Sequence, residues 1–386
     1  MGYLVNNYNR FPFTFVRGDG CYLYDSSGDK YLDFTSGISV VNLGHSNRDL
    51  ANIICEQSKK LIHTSNLFLN KEQEELAGLL FKHTNEGLAF FCNSGAEANE
   101  AAIKLARIYG NRKYDGLRYK IITMENSFHG RSYATLSATG QKKIWDGFEP
   151  IANFFYHIPF NDFDAFYEAT KKNDVVAVML ELIQGEGGVV EANKGYIERL
   201  VNYCNKEDII VIIDEVQTGI GRTGEFICSN YYNIKPDIIT LAKSLGNGLP
   251  IGAMIAKKEY ADYFKPGSHG STFGGNHLVC KVASEVVKKV SKDTFLADVR
   301  MKGVYLKRGL EKLFSKYGAI RGMGFMLGVY LNDINANELA STCMSKGLLL
   351  IPTSGNTIRI YPPLNVCNDD IDKALDILDK SLRGFI

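Results

Sequence analysis

An α/β fold, with a mainly parallel central sheet flanked by helices, is what the sequence predicts, on three observations. Residues 209–213 read IIVII, an unbroken β-branched run with no polar face, and residues 238–241 read IITL. A strand that is apolar on both faces belongs inside a sheet covered on both sides, the usual setting of parallel strands. From about residue 50 to residue 290, strand-like runs alternate with segments in helical spacing. Finally, both central runs stop on charged side chains, Asp214 and Glu215 after the first and Lys243 after the second. Ligands of open α/β sheets collect at the carboxyl ends of strands, so an acid and an amine delivered there by neighbouring runs predict one small site holding both charges. A buried ion pair that only sets strand register is the alternative. It does not account for Gly246-Asn247-Gly248 just downstream, glycines that let backbone come close to something bulky.

Taken in order, residues 1–50 read as short strands and turns (FTFVRGDG, CYLYDSSGD, KYLDFTSG). Segments 47–60 and 71–83 carry helical spacing, and LAFFC at 88–92 reads as a buried strand. In the segment that follows, Ala98, Ala101, Ala102, Leu105 and Ile108 fall on one helical face. Strands are expected at 120–123 and 175–183, and a helix at 196–206. Beyond residue 256 a long helix is expected from 277, bending and continuing toward 314. Strands in GFMLGVYL, GLLLIPT and TIRIYPP and a closing helix over 369–382 complete the chain. This division predicts a large α/β domain over residues 51–290. A smaller α+β domain would be made from the two ends, residues 1–50 and 291–386.

With 45% apolar residues among 386, the chain can fill such cores. A formal net charge of +1 gives no general attraction to nucleic acid or an acidic membrane surface. The eight cysteines form no C-x-x-C or Cys/His pattern, so reduced thiols of a cytoplasmic protein are expected rather than disulfides or a metal site. MGYLVNNYNRFPF lacks the features of a signal peptide, and no apolar run approaches the roughly 18 residues of a membrane span.

Several stretches carry chemistry. Asn93-Ser94-Gly95-Ala96-Glu97 lies between a strand and a helix. Small residues there leave first-turn N–H groups open to a phosphate, although an ordinary cap by Asn93 or Ser94 needs no ligand. Gly219-Ile220-Gly221-Arg222-Thr223-Gly224 matches G-x-G-x-x-G, but EFICSNYYNIKPD after it is a poor helix start, which disfavours a dinucleotide site. Ser127-Phe128-His129-Gly130-Arg131 offers an aromatic face beside an arginine, fit for a planar group and a carboxylate, or else a core ring and a solvated cation. Glu186 stands among glycines at a strand end, and Arg359 in a strand-like segment far along the chain.

The blocks DSSGDKYLDFTSGISVVNLGH, FCNSGAEANEAAIKLAR, SFHGRSYATLSATG, ELIQGEGGV, VIIDEVQTGIGRTG, PDIITLAKSLGNGLPIGA, GSTFGGN and IRIYPPL follow one another nearly end to end. Together they resemble the class III, fold-type I pyridoxal-phosphate aminotransferases, most closely their acetylornithine aminotransferase group. The resemblance implies that Lys243 binds pyridoxal 5'-phosphate covalently and moves the reacting proton. Asp214 is implied to pair with the ring nitrogen, Gln217 to meet the ring oxygen and Phe128 to stack on the ring. Gly95 and Ala96 would hold the phosphate, and Thr272 the phosphate of a neighbouring subunit in a homodimer, with Ser271 beside the substrate. It further implies that Arg131 grips the carboxylate of an ω-amino donor and Arg359 that of 2-oxoglutarate, with Glu186 masking Arg359 between the two. Ile38 stands where ornithine aminotransferases carry a tyrosine, which suits a donor with an acylated α-nitrogen such as acetylornithine. Succinylornithine, succinyl-diaminopimelate, ornithine and 4-aminobutyrate remain alternative donors.

Overall fold

The two faces of the strand Ile210–Asp214 enter different cores. Ile210 and Ile212 pack with Ala101, Ala102 and Leu105 of the helix Gly95–Lys113. Val211 and Ile213 pack with Ile197, Leu200 and Cys204 of the helix Lys194–Glu207. This period-2 division is what an unbroken apolar run permits. The computed structural model describes residues 3–84 and 86–385. In it the strand sits at the centre of a seven-stranded sheet ordered Leu88–Cys92, Gly252–Ala256, Ile238–Leu241, Ile210–Asp214, Val175–Leu180, Lys120–Met124, Phe155–Ile158. Only Gly252–Ala256 runs antiparallel to its neighbours. Asp214 pairs in register with Thr240, so the two charged strand ends are side by side.

Asparagines set the helix starts. Asn47, Asn70, Asn193, Asn276 and Asn335 each accept from first-turn N–H groups through the side chain. These bonds satisfy donors that have no partner inside the helix.

The antiparallel strands Phe15–Asp19, Tyr22–Asp25 and Lys30–Asp33 are joined by Leu348–Leu349, which pairs parallel with the last of them. A further antiparallel sheet runs Gly318–Met323, Met326–Leu331, Thr357–Ile360, Ile351–Thr353. GLLLIPT, expected as one strand, is therefore two strands in different sheets, because the chain changes partner at Leu350. The long helix from residue 277 is likewise two, His277–Val290 and Asp293–Phe314. The strand from Val175 ends at Leu180, and Ile183–Gln184 turns back on Val190–Glu191 as a hairpin that carries Glu186 near its tip. Among the described residues no helix is long and apolar enough to cross a membrane.

Candidate active site

A cavity of about 410 Å³ opens at the carboxyl ends of the central strands. Of the two carboxylates that end Ile210–Asp214, only Asp214 lines it. Glu215 turns away and accepts from the N–H groups of Cys228 (3.0 Å) and Ser229 (2.8 Å), fixing the next turn. Asp214 is held on both oxygens. Oδ2 accepts from Asn99 Nδ2 and from the His129 ring, each at 2.8 Å, and Oδ1 from the N–H of Val216 at 3.0 Å. The acceptor carboxylate makes His129 Nδ1 the protonated nitrogen, and its buried Nε2 has no partner among the described residues.

Lys243 follows its strand in a left-handed conformation, φ +47°, which aims its side chain into the same cavity. Burial pulls its amine down to about 8; Glu186 and Asp214 oppose that pull, and Arg359 reinforces it. Gly248, at φ +113°, brings backbone to the cavity wall, as the glycines of this turn suggested.

On the far side, Ser94 caps the helix Gly95–Lys113 by accepting from the N–H of Glu97 at 3.2 Å. Gly95 and Ala96 open that helix and line the cavity, so the ordinary cap at Ser94 does not keep these two residues from the wall. A Cβ on Gly95 would lie 2.7 Å from Val216 Cγ1, which restricts the position to glycine. Phe128, Val216 and Gln217 complete the wall. Gly219 to Gly224 form turns followed by a short 3₁₀ turn, Cys228–Asn230, and open no long helix.

Arg131 lies at the mouth, its guanidinium carbon 5.7 Å from the Phe128 ring centre. It also lines an adjoining polar hollow of about 490 Å³ together with Glu186. Glu186 pairs with Arg359, whose side chain is 5% exposed and thus depends on that partner. The remaining expected residues lie outside the cavity lining. Ser271 is half-buried and its hydroxyl accepts from Asn93 (3.2 Å) and Gly274 (3.1 Å), while Thr272 is exposed. Ile38 is half-buried at φ +64°, and its segment sends Val40 to the wall instead.

Three polar residues of this site were not singled out from the sequence as partners of Asp214 or lining groups. Asn99 is the lone amide on an alanine-lined helix face, a signal that was available. His129 stands between Phe128 and Gly130, and nothing local in that stretch pointed to its ring as a partner of Asp214. Glu181 lines the cavity and accepts from the N–H of Phe128 at 2.9 Å; burial and the neighbouring Asp214 push its carboxyl well above the ordinary range.

The family model "Aminotransferase class-III" matches residues 3–382. The chain belongs to the class-III aminotransferases. Its relatives in this family include the acetylornithine aminotransferase of Caldanaerobacter subterraneus subsp. tengcongensis, 49% identical, covering 98% of this chain and 97% of that protein. Among solved class-III structures it is similar to the ornithine aminotransferase from Toxoplasma gondii ME49 (TM-score 0.95, 30% identity, 99% of this chain and 93% of that one). It is also similar to the N-acetylornithine aminotransferase from Stenotrophomonas maltophilia K279a (TM-score 0.86, 34% identity, 98% and 97%). As a class-III aminotransferase the chain is a transaminase.

Proposed function

We propose that this transaminase moves the δ-amino group of N2-acetylornithine to 2-oxoglutarate through pyridoxal 5'-phosphate, a step of arginine biosynthesis in the cytoplasm. The observation that carries the reading is the pairing of buried Arg359 with Glu186 beside a cavity holding both Lys243 and Asp214. A group that must admit two unlike substrates in turn needs a cation that can be covered and uncovered.

The cavity fits pyridoxal phosphate by the chemistry of its walls. First-turn N–H groups at Gly95 and Ala96 suit the phosphate, Asp214 suits a protonated ring nitrogen, and Phe128 and Val216 offer apolar surfaces for a flat ring. When bound, that cofactor supplies an electron sink for the bond broken at the substrate carbon. Lys243 Nζ, partly free of its proton near neutral pH, would hold the cofactor and would carry the reacting proton to and from the substrate carbon. Asn99, His129 and the Val216 N–H keep the Asp214 carboxylate aimed. Arg131 holds the donor carboxylate distant from the reacting amine. Arg359 holds the carboxylate of 2-oxoglutarate, and Glu186 covers it while the donor is bound. Ile38 lies outside the cavity lining, so its role beside an acylated α-nitrogen rests on the resemblance alone, and Val40 is the apolar residue of that segment at the wall.

A homodimer is part of the proposal. Thr272 and Phe273 lie on an exposed loop beside Leu67, Phe68 and Leu69, which are 90%, 69% and 100% exposed. Asn66 Nδ2 ties the two segments by donating to Ser271 O at 2.8 Å and Gly274 O at 3.0 Å. An apolar patch of this kind suits burial against a second copy, to which Thr272 would reach as a phosphate ligand and Ser271 as a substrate neighbour. We also read residues 1–50 and 291–386 as one smaller domain beside the larger one, residues 51–290.

Rates with 2-oxoglutarate and each of acetylornithine, ornithine, succinyl-diaminopimelate and 4-aminobutyrate test the substrate assignment. Acetylornithine is expected to give the highest kcat/KM. Faster turnover of ornithine would favour the second reading, an ornithine aminotransferase, to which the TM-score of 0.95 with the Toxoplasma gondii enzyme lends support. Sedimentation of the purified protein tests the dimer.

A further inference from the structure

Tyr361 follows the strand Thr357–Ile360 and is 1% exposed. The guanidinium carbons of two buried arginines, Arg222 and Arg359, each lie 5.9 Å from its ring centre. Arg222 is itself held in place. Its Nε donates to Ser39 Oγ at 3.0 Å, and one terminal nitrogen donates to the carbonyls of Phe325 (3.2 Å) and Pro362 (2.6 Å). The Tyr361 backbone is pinned as well, its N–H donating to Phe34 O at 2.7 Å and its carbonyl accepting from Ser36 Oγ at 2.6 Å. Burial raises the phenol above its ordinary value, so it keeps its proton and acts as a donor.

That proton is donated to Gln217 Oε1 at 3.0 Å. The same oxygen faces Gly185, where a Cβ would come within 1.8 Å of it. The carbonyl end of the amide is thus seated between a hydroxyl and a glycine, and what remains to the cavity is its NH₂ end, a donor. The next residue after Gly185 is Glu186, the partner of Arg359, and Arg359 stands two residues before Tyr361. The contacts close a circuit from Gln217 through Tyr361 to Arg359, on to Glu186, and back through Gly185 to Gln217.

We propose that Tyr361 is a positioning residue that ties the Arg359–Glu186 pair to the Gln217 amide, so that capture of a carboxylate at Arg359 is felt at the cavity wall. The inference rests on the reading of Gln217 as a neighbour of the cofactor ring. It makes Tyr361 more than filler, because its ring meets the Arg359 guanidinium while its hydroxyl donates to Gln217.

The test uses Tyr361→Phe, which keeps the ring and removes the donor. Apoprotein of this variant is expected to bind pyridoxal phosphate about fivefold more weakly than wild type, the scale of one neutral hydrogen bond. Glutarate, a dicarboxylate with no reacting group, serves as the probe for Arg359. It is expected to perturb the visible absorbance of the cofactor-loaded wild type. In Tyr361→Phe it should bind within about threefold of wild type while the perturbation falls at least about fivefold. The affinity losses of Gln217→Met and Tyr361→Phe should not add, since they break one link. Additive losses, an unchanged glutarate response in Tyr361→Phe, or a wild-type spectrum indifferent to glutarate would each overturn the proposal. If wild-type apoprotein takes up no pyridoxal phosphate at all, the functional reading itself fails. Normal uptake with an indistinguishable Tyr361→Phe sinks this inference alone.

Discussion

The inner wall of the cavity and its mouth are built in opposite ways. At the inner wall, Asp214 and Lys243 end neighbouring strands of one sheet, and the Asp214 carboxylate is fixed by three short contacts, from Asn99 on the helix packed against that sheet, from the loop residue His129 and from the turn at Val216. At the mouth, Glu186 and Arg359 come together from 173 positions apart, one on a hairpin tip and the other on a strand of a different sheet. The wall is held rigid by sheet register. The mouth is one half-exposed carboxylate covering one buried cation, an arrangement that a competing substrate carboxylate can replace. On the function proposed above, chemistry that must not move is placed on the sheet, and selection that must alternate is placed between segments.

The contrast can be broken most sharply at the wall. Lys243→Ala should lower turnover by about 10³-fold or more while circular dichroism stays native, because among the described residues no other amine lines the cavity to take the proton. Asp214→Asn should cost about 10² to 10³-fold in kcat with either substrate, since a preorganised charge is lost from both half-reactions. At the mouth the effect should be one-sided. Arg359→Ala is expected to weaken 2-oxoglutarate by about 10²-fold in kcat/KM and to leave the donor half-reaction within about threefold, as single-turnover kinetics would read. Equal losses in both halves would erase the distinction between wall and mouth. The smallest effect concerns pH. With its amine pulled to about 8, Lys243 loses its proton as pH rises through that value. The rate of cofactor uptake by apoprotein should therefore climb about tenfold from pH 7 to pH 9 and then level off. A rise that continues past pH 10 would mean that burial exerts no such pull.

Much of the wall was legible because its signals are local. An apolar run that stops on Asp214, another that stops at Lys243, and small residues at Gly95 and Ala96 each occupy a few consecutive positions, and strand ends are where such groups meet a ligand. The choice between Asp214 and Glu215 was not local. Successive side chains leave a strand in opposite directions, and which direction faced the cavity depended on the packing of the Cys228–Asn230 turn against Glu215. Glu181 was missed for a related reason, since its raised carboxyl comes from being buried near Asp214, 33 residues away in sequence. Where Leu350 separates two short strands, the apolar pattern alone gave no hint that their partners belong to different sheets.

The amino-acid order by itself determined the central strands, the helix faces packed on them and the chemical kinds of group at the strand ends. These follow from periodicity and side-chain chemistry read over short windows. Only the tertiary structure decided which carboxylate points inward, what holds it there, and that Arg359, Glu186, Gln217 and Tyr361 share one circuit. Those facts depend on contacts between distant segments, where the free energy lies in packing and desolvation that no single stretch of sequence contains.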